Sequence, residues 1–435
     1  MRVTKISLAT LLALGTLTCV NAETKLEDAI KGTTIKGYVL GQMTSQFGDD
    51  IHGNVFRTRA WANLNTGAIG GFNLGMTAYA STGGGKNSDG TPFLEASGAA
   101  GKPINIGLTT VYGKQDLSEY GSKTTIIGGK MNILTPFNDN TWDYGYGVYV
   151  SNEDIEGVKF SGQVFGAYTL DDATDATYTA GTSLDHPLYI LGVEAGGEKL
   201  GGAGIKVYAA HSTKVFDYMV MGDVSYTIAG VTLQSQVAVT DVDTNGDKFY
   251  NPNGTNGVAS LRGLYNIQAS YANKDLGFSA KAGFTGSFGD GYGALLNYAS
   301  FNMGGQFWYD TVGSKNGYGM FGQGGYKIYS GSNNYKASSI MVGYVGLQYT
   351  GVKSLKIGLD YAYVGGDNNY ALAPTASQTA INTWTSNGGS ATFHEVSFTA
   401  SYGFFDNKLT LSGLIGSTFG DLQMARGRAV VKYSF

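Results

Sequence analysis

The run Glu395-Val396-Ser397-Phe398-Thr399-Ala400-Ser401-Tyr402 alternates polar and apolar residues without a break. Successive side chains of a strand point to opposite faces, so Val396, Phe398, Ala400 and Tyr402 share one surface and the polar residues the other. The same period recurs along the chain. Phe72, Leu74, Met76, Ala78 and Ala80 alternate with Asn73, Gly75, Thr77, Tyr79 and Ser81. Val158, Phe160, Val164 and Tyr168 alternate with Lys159, Ser161 and Gln163, and Leu355, Ile357, Leu359, Tyr361 and Tyr363 with Lys356 and Asp360. Val231, Leu233, Val237 and Val239 face away from Thr232, Gln234, Gln236 and Thr240. Such runs last about 9–13 residues, longer than the ~5–6 of a mean globular strand and matched to the ~9–11 that a tilted strand needs to cross a bilayer.

The connections alternate as well. Ala229-Gly230, Asn273-Lys274-Asp275, Val352-Lys353 and Asp406-Asn407-Lys408 read as tight turns. Ser81–Pro103, Asp171–Pro187, Asp241–Val258 and Gly366–Thr392 read as long polar loops. Short turns at one end and long loops at the other are the asymmetry of a transmembrane barrel. Backbone polar groups in hydrocarbon must all be paired, and strands achieve that only by closing on themselves. No run after Ala22 reaches the roughly 18 apolar residues of a membrane helix, so a helical span is excluded. Glycine is 67 of 435 residues, and only 14% of residues are charged. That glycine share is about twice ordinary usage, too rich for a helical enzyme. The net charge of −4 offers no basic field for nucleic acid.

Arg2 and Lys5, the apolar stretch Ile6–Leu17 and the small-residue exit Val20-Asn21-Ala22 predict a secretory signal peptide over residues 1–22. Its removal from 435 residues leaves 413, without the only cysteine, Cys19. At roughly 23 residues per strand and connection, the remainder predicts an all-β antiparallel barrel of about 18 strands over 34–435, with about 16 as the second count. Residues 23–33 carry Leu26, Ala29 and Ile30 at helical spacing and predict a short periplasmic segment ahead of it.

Polar positions then define the lumen. Arginine on the lipid face costs about 2–4 kcal/mol at the midplane. Parity therefore turns Arg57, Arg59, Arg262, Arg426 and Arg428 inward as pore-lining groups. Closure brings the last strand near the first and joins four of them into a basic wall. Between Lys130 and Lys159 five acids occur without a base: Asp139, Asp143, Glu153, Asp154 and Glu156. Residues 135–157 also carry Trp142, Tyr144, Tyr146 and Tyr149, and are expected to fold into the lumen as a constriction loop. Its carboxylates would stand across from the arginines and favour cations. An acidic loop facing solvent is the alternative.

Asp241, Asp243, Asn245, Gly246 and Asp247 space oxygen ligands as in the start of a calcium loop, but Pro252 stands where a closing Glu belongs. They make a candidate calcium site, with an Asp/Asn-rich hairpin tip as the alternative; no other cofactor is implied. His394-Glu395 lacks a second histidine at Phe398, and Gly83-Gly84-Gly85-Lys86 lacks phosphate-loop spacing, so no enzyme is expected.

Ala425–Phe435, with Tyr433 and Phe435 on one parity, resembles the C-terminal strand signal of bacterial outer-membrane proteins. The chain also resembles the major outer membrane protein family, the porins of Campylobacter-like bacteria. That likeness rests on Leu26-Glu27-Asp28-Ala29-Ile30-Lys31, on Ile126-Ile127-Gly128-Gly129-Lys130 leading to Pro136, and on the ending through Phe435. It extends over the chain to about position 200 and over the end, and leaves 240–340 unassigned. It implies a homotrimer in outer-membrane lipid, passing small hydrophilic solutes and ions by passive diffusion with a mild cation preference. A substrate-specific channel and a surface adhesin or structural barrel are the competing expectations.

Overall fold

The computed structural model describes residues 22–48, 53–84, 105–170, 186–197, 200–244, 258–296, 300–311, 319–320, 328–329, 335–368 and 390–435. The described residues open with helix α1 (Ala22–Lys31), whose Ala29 carbonyl accepts the Gly67 N–H at 2.9 Å. The strands follow as β1 (Thr34–Gly48), β2 (Gly53–Asn65), β3 (Phe72–Gly84), β4 (Asn105–Asp116), β5 (Thr124–Asn132) and β6 (Tyr144–Asn152). Next come β7 (Val158–Thr169), β8 (Leu188–Gly196), β9 (Ala203–Ser212), β10 (Phe216–Ile228), β11 (Val231–Val242), β12 (Leu261–Asn273) and β13 (Phe278–Gly289). A one-turn helix α2 (Trp308–Thr311) and a small hairpin, β14 (Ile328–Tyr329) and β15 (Tyr335–Lys336), lie between β13 and β16 (Met341–Tyr349). The chain ends with β17 (Leu355–Gly365), β18 (Phe393–Phe404), β19 (Leu409–Gly420) and β20 (Met424–Ser434).

Apart from β14 and β15, every strand joins one 18-stranded sheet in which β1 pairs with both β2 and β20, so the ring is closed and antiparallel throughout. Closure removes free edges, which is the condition for strands to sit in hydrocarbon. Register follows the apolar parity, because a slip of one residue would turn every greasy side chain inward. Val39 thus pairs with Tyr433, Leu359 with Phe398 and Leu233 with Ala269, all outward. Outward aromatics gather at both strand ends. Tyr189, Tyr218, Tyr361 and Phe419 mark the long-loop end, and Tyr226, Tyr271, Tyr349, Tyr402 and Tyr433 the turn end. They correspond to the aromatic girdles of outer-membrane barrels.

All the tight turns expected from sequence fall at the end that holds α1 and Phe435, and the four long loops start and finish at the other. The connections 213–215 and 421–423 at the long-loop end are also short. Bulges alter parity locally. The one at Tyr146/Gly147 falls between Phe165 and Ala167, so Tyr168 leaves the outward row that simple alternation gave it, turns inward and pairs its hydroxyl with Ser212.

The core lies inside the ring. On the long-loop half of β10 to β18, many inward positions are apolar: Met219, Met221, Leu264, Val342, Ala362 and Phe393 are all buried. They pack against Tyr292, Leu295, Phe301, Phe307 and Trp308 from the long connection 290–340. At ~1.5–3 kcal/mol per fully buried large apolar side chain, this inner packing fixes the connection in the lumen.

Candidate functional site

The connection 290–340 crosses the inner wall through hydrogen bonds to strand side chains. Thr240 Oγ1 donates to the Ala294 carbonyl at 2.7 Å, and Gln236 Nε2 to that of Ser300 at 3.0 Å. Asn302 donates its N–H to Gln236 Oε1 at 2.8 Å and its amide to Gln234 Oε1 at 2.9 Å, and its carbonyl accepts Thr285 Oγ1 at 2.7 Å. Gly304 then turns the chain at φ +70°, where a Cβ would lie 2.4 Å from the Tyr344 ring. Both conformation and space demand glycine there.

Beyond that turn one carboxylate takes over. Glu395 of β18 has no solvent exposure and accepts the backbone N–H groups of Gln306 (2.6 Å), Phe307 (3.2 Å) and Trp308 (2.8 Å). Ser397 Oγ donates to it at 2.9 Å. The Gln306 side chain continues to Asp360 Oδ2 at 2.7 Å, and Asp360 lies 3.7 Å from Lys281 Nζ. Phe307 reaches the last strand, 5.9 Å from the Arg426 guanidinium. The connection therefore spans from β11 to β20 and narrows the lumen from that side.

Beside it, β20 leads into β1 and β2. Gln42 pairs with Arg57 across β1 and β2, and Arg57 Nη2 donates to Gln42 Oε1 at 3.1 Å. On the other edge of β1, Thr44 pairs with Arg428 and Gln46 with Arg426. The Arg59 guanidinium stacks 4.2 Å over Trp142 and lies 5.4 Å from the centre of the Tyr79 ring. Such a cation–aromatic geometry is worth about 0.5–2 kcal/mol. Lys432 lies 4.5 Å over Tyr38, which stacks on Trp61. Below the connection, a chamber of about 750 Å³ is lined by Gln268, Lys281, Gln306, Lys356, Asp360 and Arg428. Three basic groups share it with one carboxylate.

Two arginines have a different place from the one their parity suggests. Arg262 faces inward but is fully buried, giving Nε to the Ala259 carbonyl at 2.7 Å and Nη1 to that of Met320 at 2.6 Å. It clasps the inserted connection and lines no water. Arg426 is 1% exposed and likewise packs beneath Phe307. Both lie where the lumen is filled, a condition that alternation alone does not reveal. Arg57, Arg59 and Arg428 remain half-buried on the wall.

The constriction loop expected over 135–157 also needs correction. Tyr144–Asn152 is strand β6, so the inward fold stops at Asp143. Phe137 in this shorter loop packs 6.1 Å from Tyr208, and Trp142 reaches Arg59. Asp143 is buried and accepts the Asp139 N–H at 3.0 Å, while Asp139 accepts the Thr141 N–H at 2.8 Å. These carboxylates brace their own turn. Glu153, Asp154 and Glu156 stand in the β6–β7 turn at the opposite end of the barrel. There Asp154 accepts Asn152 Nδ2 (2.7 Å), the Lys123 N–H (2.5 Å) and Ser122 Oγ (2.9 Å). Those donors hold its carboxyl below the usual aspartate range, because each favours the charged form. The five acids thus occupy two ends of the molecule.

Of the calcium candidates, Asp241 ends β11 and the Asp243 N–H donates to the Val215 carbonyl at 3.0 Å; Asn245 and Asp247 lie outside the described residues. Among the described residues no three acidic, His or Cys groups come together as a metal cluster. Glu395 and Asp360 escaped notice as site residues because each reads as an ordinary polar member of an alternating strand. The one available signal was a carboxylate at mid-strand on the inward parity.

Known barrels share this architecture. The chain superposes on Pseudomonas aeruginosa OccK3 (OpdO) with a TM-score of 0.61 at 12% identity, covering 96% of this chain and 99% of that one. For Pseudomonas aeruginosa OccK8 (OprE) the values are 0.61 and 14%, over 94% and 99%. For Pseudomonas aeruginosa OprD they are 0.57 and 14%, over 93% and 96%. At these identities the likeness is one of fold, the closed 18-stranded antiparallel barrel. No protein-family model matches the chain. No curated protein is similar to it by sequence.

Proposed function

We propose that the chain is an outer-membrane diffusion channel for small hydrophilic solutes, and that its narrow section favours anions over cations. A barrel of this size encloses an aqueous lumen where loops do not fill it. The observation that carries the charge preference is the basic strip formed by Arg57, Arg59 and Arg428 with Lys281 and Lys356 of the chamber below. A lumen lined by fixed positive charge raises the local concentration of anions. The cation preference expected from sequence rested on the family resemblance and on five carboxylates opposite the arginines; three of the five stand at the other end of the barrel, and Asp139 and Asp143 accept hydrogen bonds within their own turn. Planar-bilayer recording in a salt gradient tests the proposal. An anion-directed reversal potential supports it, a cation-directed one rejects the charge assignment, and absence of conductance favours an adhesin or structural barrel.

A substrate-specific channel is the second reading, favoured by the chamber in which Lys281, Asp360 and Gln306 form one polar network. Saturable flux of one solute class would select it. The homotrimer and membership in the Campylobacter-like porin family rest on the sequence resemblance, and native mass spectrometry in mild detergent tests the assembly.

A further inference from the structure

Lys130 departs from the rule that every other strand-borne cation obeys. Its register partners across β4 and β6 are Val111 and Tyr146, both exposed on the outer surface. Met131, its neighbour, is buried on the inner side. Lys130 therefore points away from the lumen. The remaining lysines and arginines of the described barrel strands, from Lys36 to Lys432, all take inward parity. Lys130 also lies close to the end of β5 at Asn132, on the long-loop side of the barrel.

Among the described residues no carboxylate pairs with the amine. The β4–β5 ladder begins at the Val111–Lys130 pair, so the carbonyls of β4 on the far side of Val111 have no β5 partner. Lys130 Nζ donates to one of them, Leu108 O, at 2.9 Å. The Tyr144 ring centroid lies 4.4 Å from Nζ and that of Tyr146 5.7 Å. An ammonium has three donors, and one goes to Leu108. Tyr146 belongs to the aromatic girdle of the long-loop end, which sets the amine at headgroup depth. Val111, level with Lys130 in the ladder, and Val148, one step further toward the turn end, are both exposed and make the outer surface there apolar.

We propose that Lys130, with Tyr144 and Tyr146, forms a surface site for the phosphate of a phosphorylated lipid headgroup in the outer leaflet. The charge calls for an anion. The apolar surface there calls for acyl chains carried by the same molecule, which selects a lipid over free phosphate. This inference rests on the outer-membrane reading and is independent of what the channel passes.

The test uses the purified full-length barrel in neutral detergent, titrated with bis-phosphorylated lipid A and followed by native mass spectrometry and thermal unfolding. One lipid is expected to be retained and to raise the unfolding temperature. Lys130→Met, which keeps the apolar stem, is expected to weaken retention about fivefold or more, and Lys130→Arg to preserve it. Inorganic phosphate at matched concentration is expected to leave the unfolding temperature unchanged. Equal retention by Lys130→Met and the parent overturns the site, as does equal stabilisation by inorganic phosphate. Conductance recorded on the same preparations separates this outcome from failure of the channel reading, since loss of the lipid site leaves the pore open.

Discussion

Glu395→Ala tests how the inserted connection is held. The substitution removes the acceptor of three consecutive backbone N–H groups at 2.6–3.2 Å and leaves them buried. A hydrogen bond to a charged group contributes about 1.5–3 kcal/mol, and the three are not additive because they share one carboxylate. Breaking one side of a buried charged cluster costs about 3–5 kcal/mol in comparable cases. That loss falls on docking of 304–308, because the barrel ladder itself is untouched. At about 1.4 kcal/mol per decade it raises the undocked population by roughly two to three and a half decades. Amide hydrogen exchange of Gln306, Phe307 and Trp308 is expected to accelerate by that factor, while β18 and β19 amides stay protected. Single-channel records are expected to show a larger and noisier open level. Glu395→Gln, which keeps one carbonyl acceptor, is expected to fall between. Unchanged exchange at all three amides would refute the clasp and assign the docking to apolar packing alone.

Replacing Arg57, Arg59 and Arg428 together by glutamine is expected to move the reversal potential toward cations with little change in barrel content by circular dichroism; an unmoved potential rejects them as selectivity groups. Trp142→Ala removes the platform over Arg59 and is expected to widen the conductance distribution. Its cost to the anchorage of the 133–143 loop is about 0.5–2 kcal/mol. Gly416→Val is expected to displace Phe307, whose ring would lie 2.4 Å from the new Cβ, and to reproduce the exchange pattern of Glu395→Ala in part. Asp154 has a folded carboxyl below its unfolded value, so its bracing of the 117–123 turn is present above the ordinary aspartate range and lost as pH falls through the lowered value. Amide exchange at Lys123 is expected to rise in acid in the parent and to be high and pH-independent, after correction for intrinsic rates, in Asp154→Ala.

The barrel was legible because lipid imposes one rule on every outward position. Residues such as Leu233, Leu359 and Val431 satisfy it strand after strand, and the tight turns fall where that pattern breaks. The lumen obeys no such single rule. Where 290–340 packs inside, inward positions such as Leu264 and Val342 become as apolar as outward ones, and the period-two signal fades. This is why the region from 240 to 340 resisted assignment by pattern. Arg262 shows the same limit from the polar side. Its inward direction followed from parity, but whether water or backbone carbonyls awaited it depended on a segment far along the chain. The acids between Lys130 and Lys159 formed one group in sequence and two in space, since β6 carries them from one end of the barrel to the other.

Pairing of β1 with β20 joins residues from opposite ends of the polypeptide, down to the mutual hydrogen bonds of Gly37 and Phe435 at 2.9 and 3.0 Å. The seam can be sewn only after β20 has been made, so a nascent chain that lacks it presents a raw hem along β1. Biogenesis must therefore shelter that hem until β20 arrives, and damage to this strand is first of all a defect of assembly.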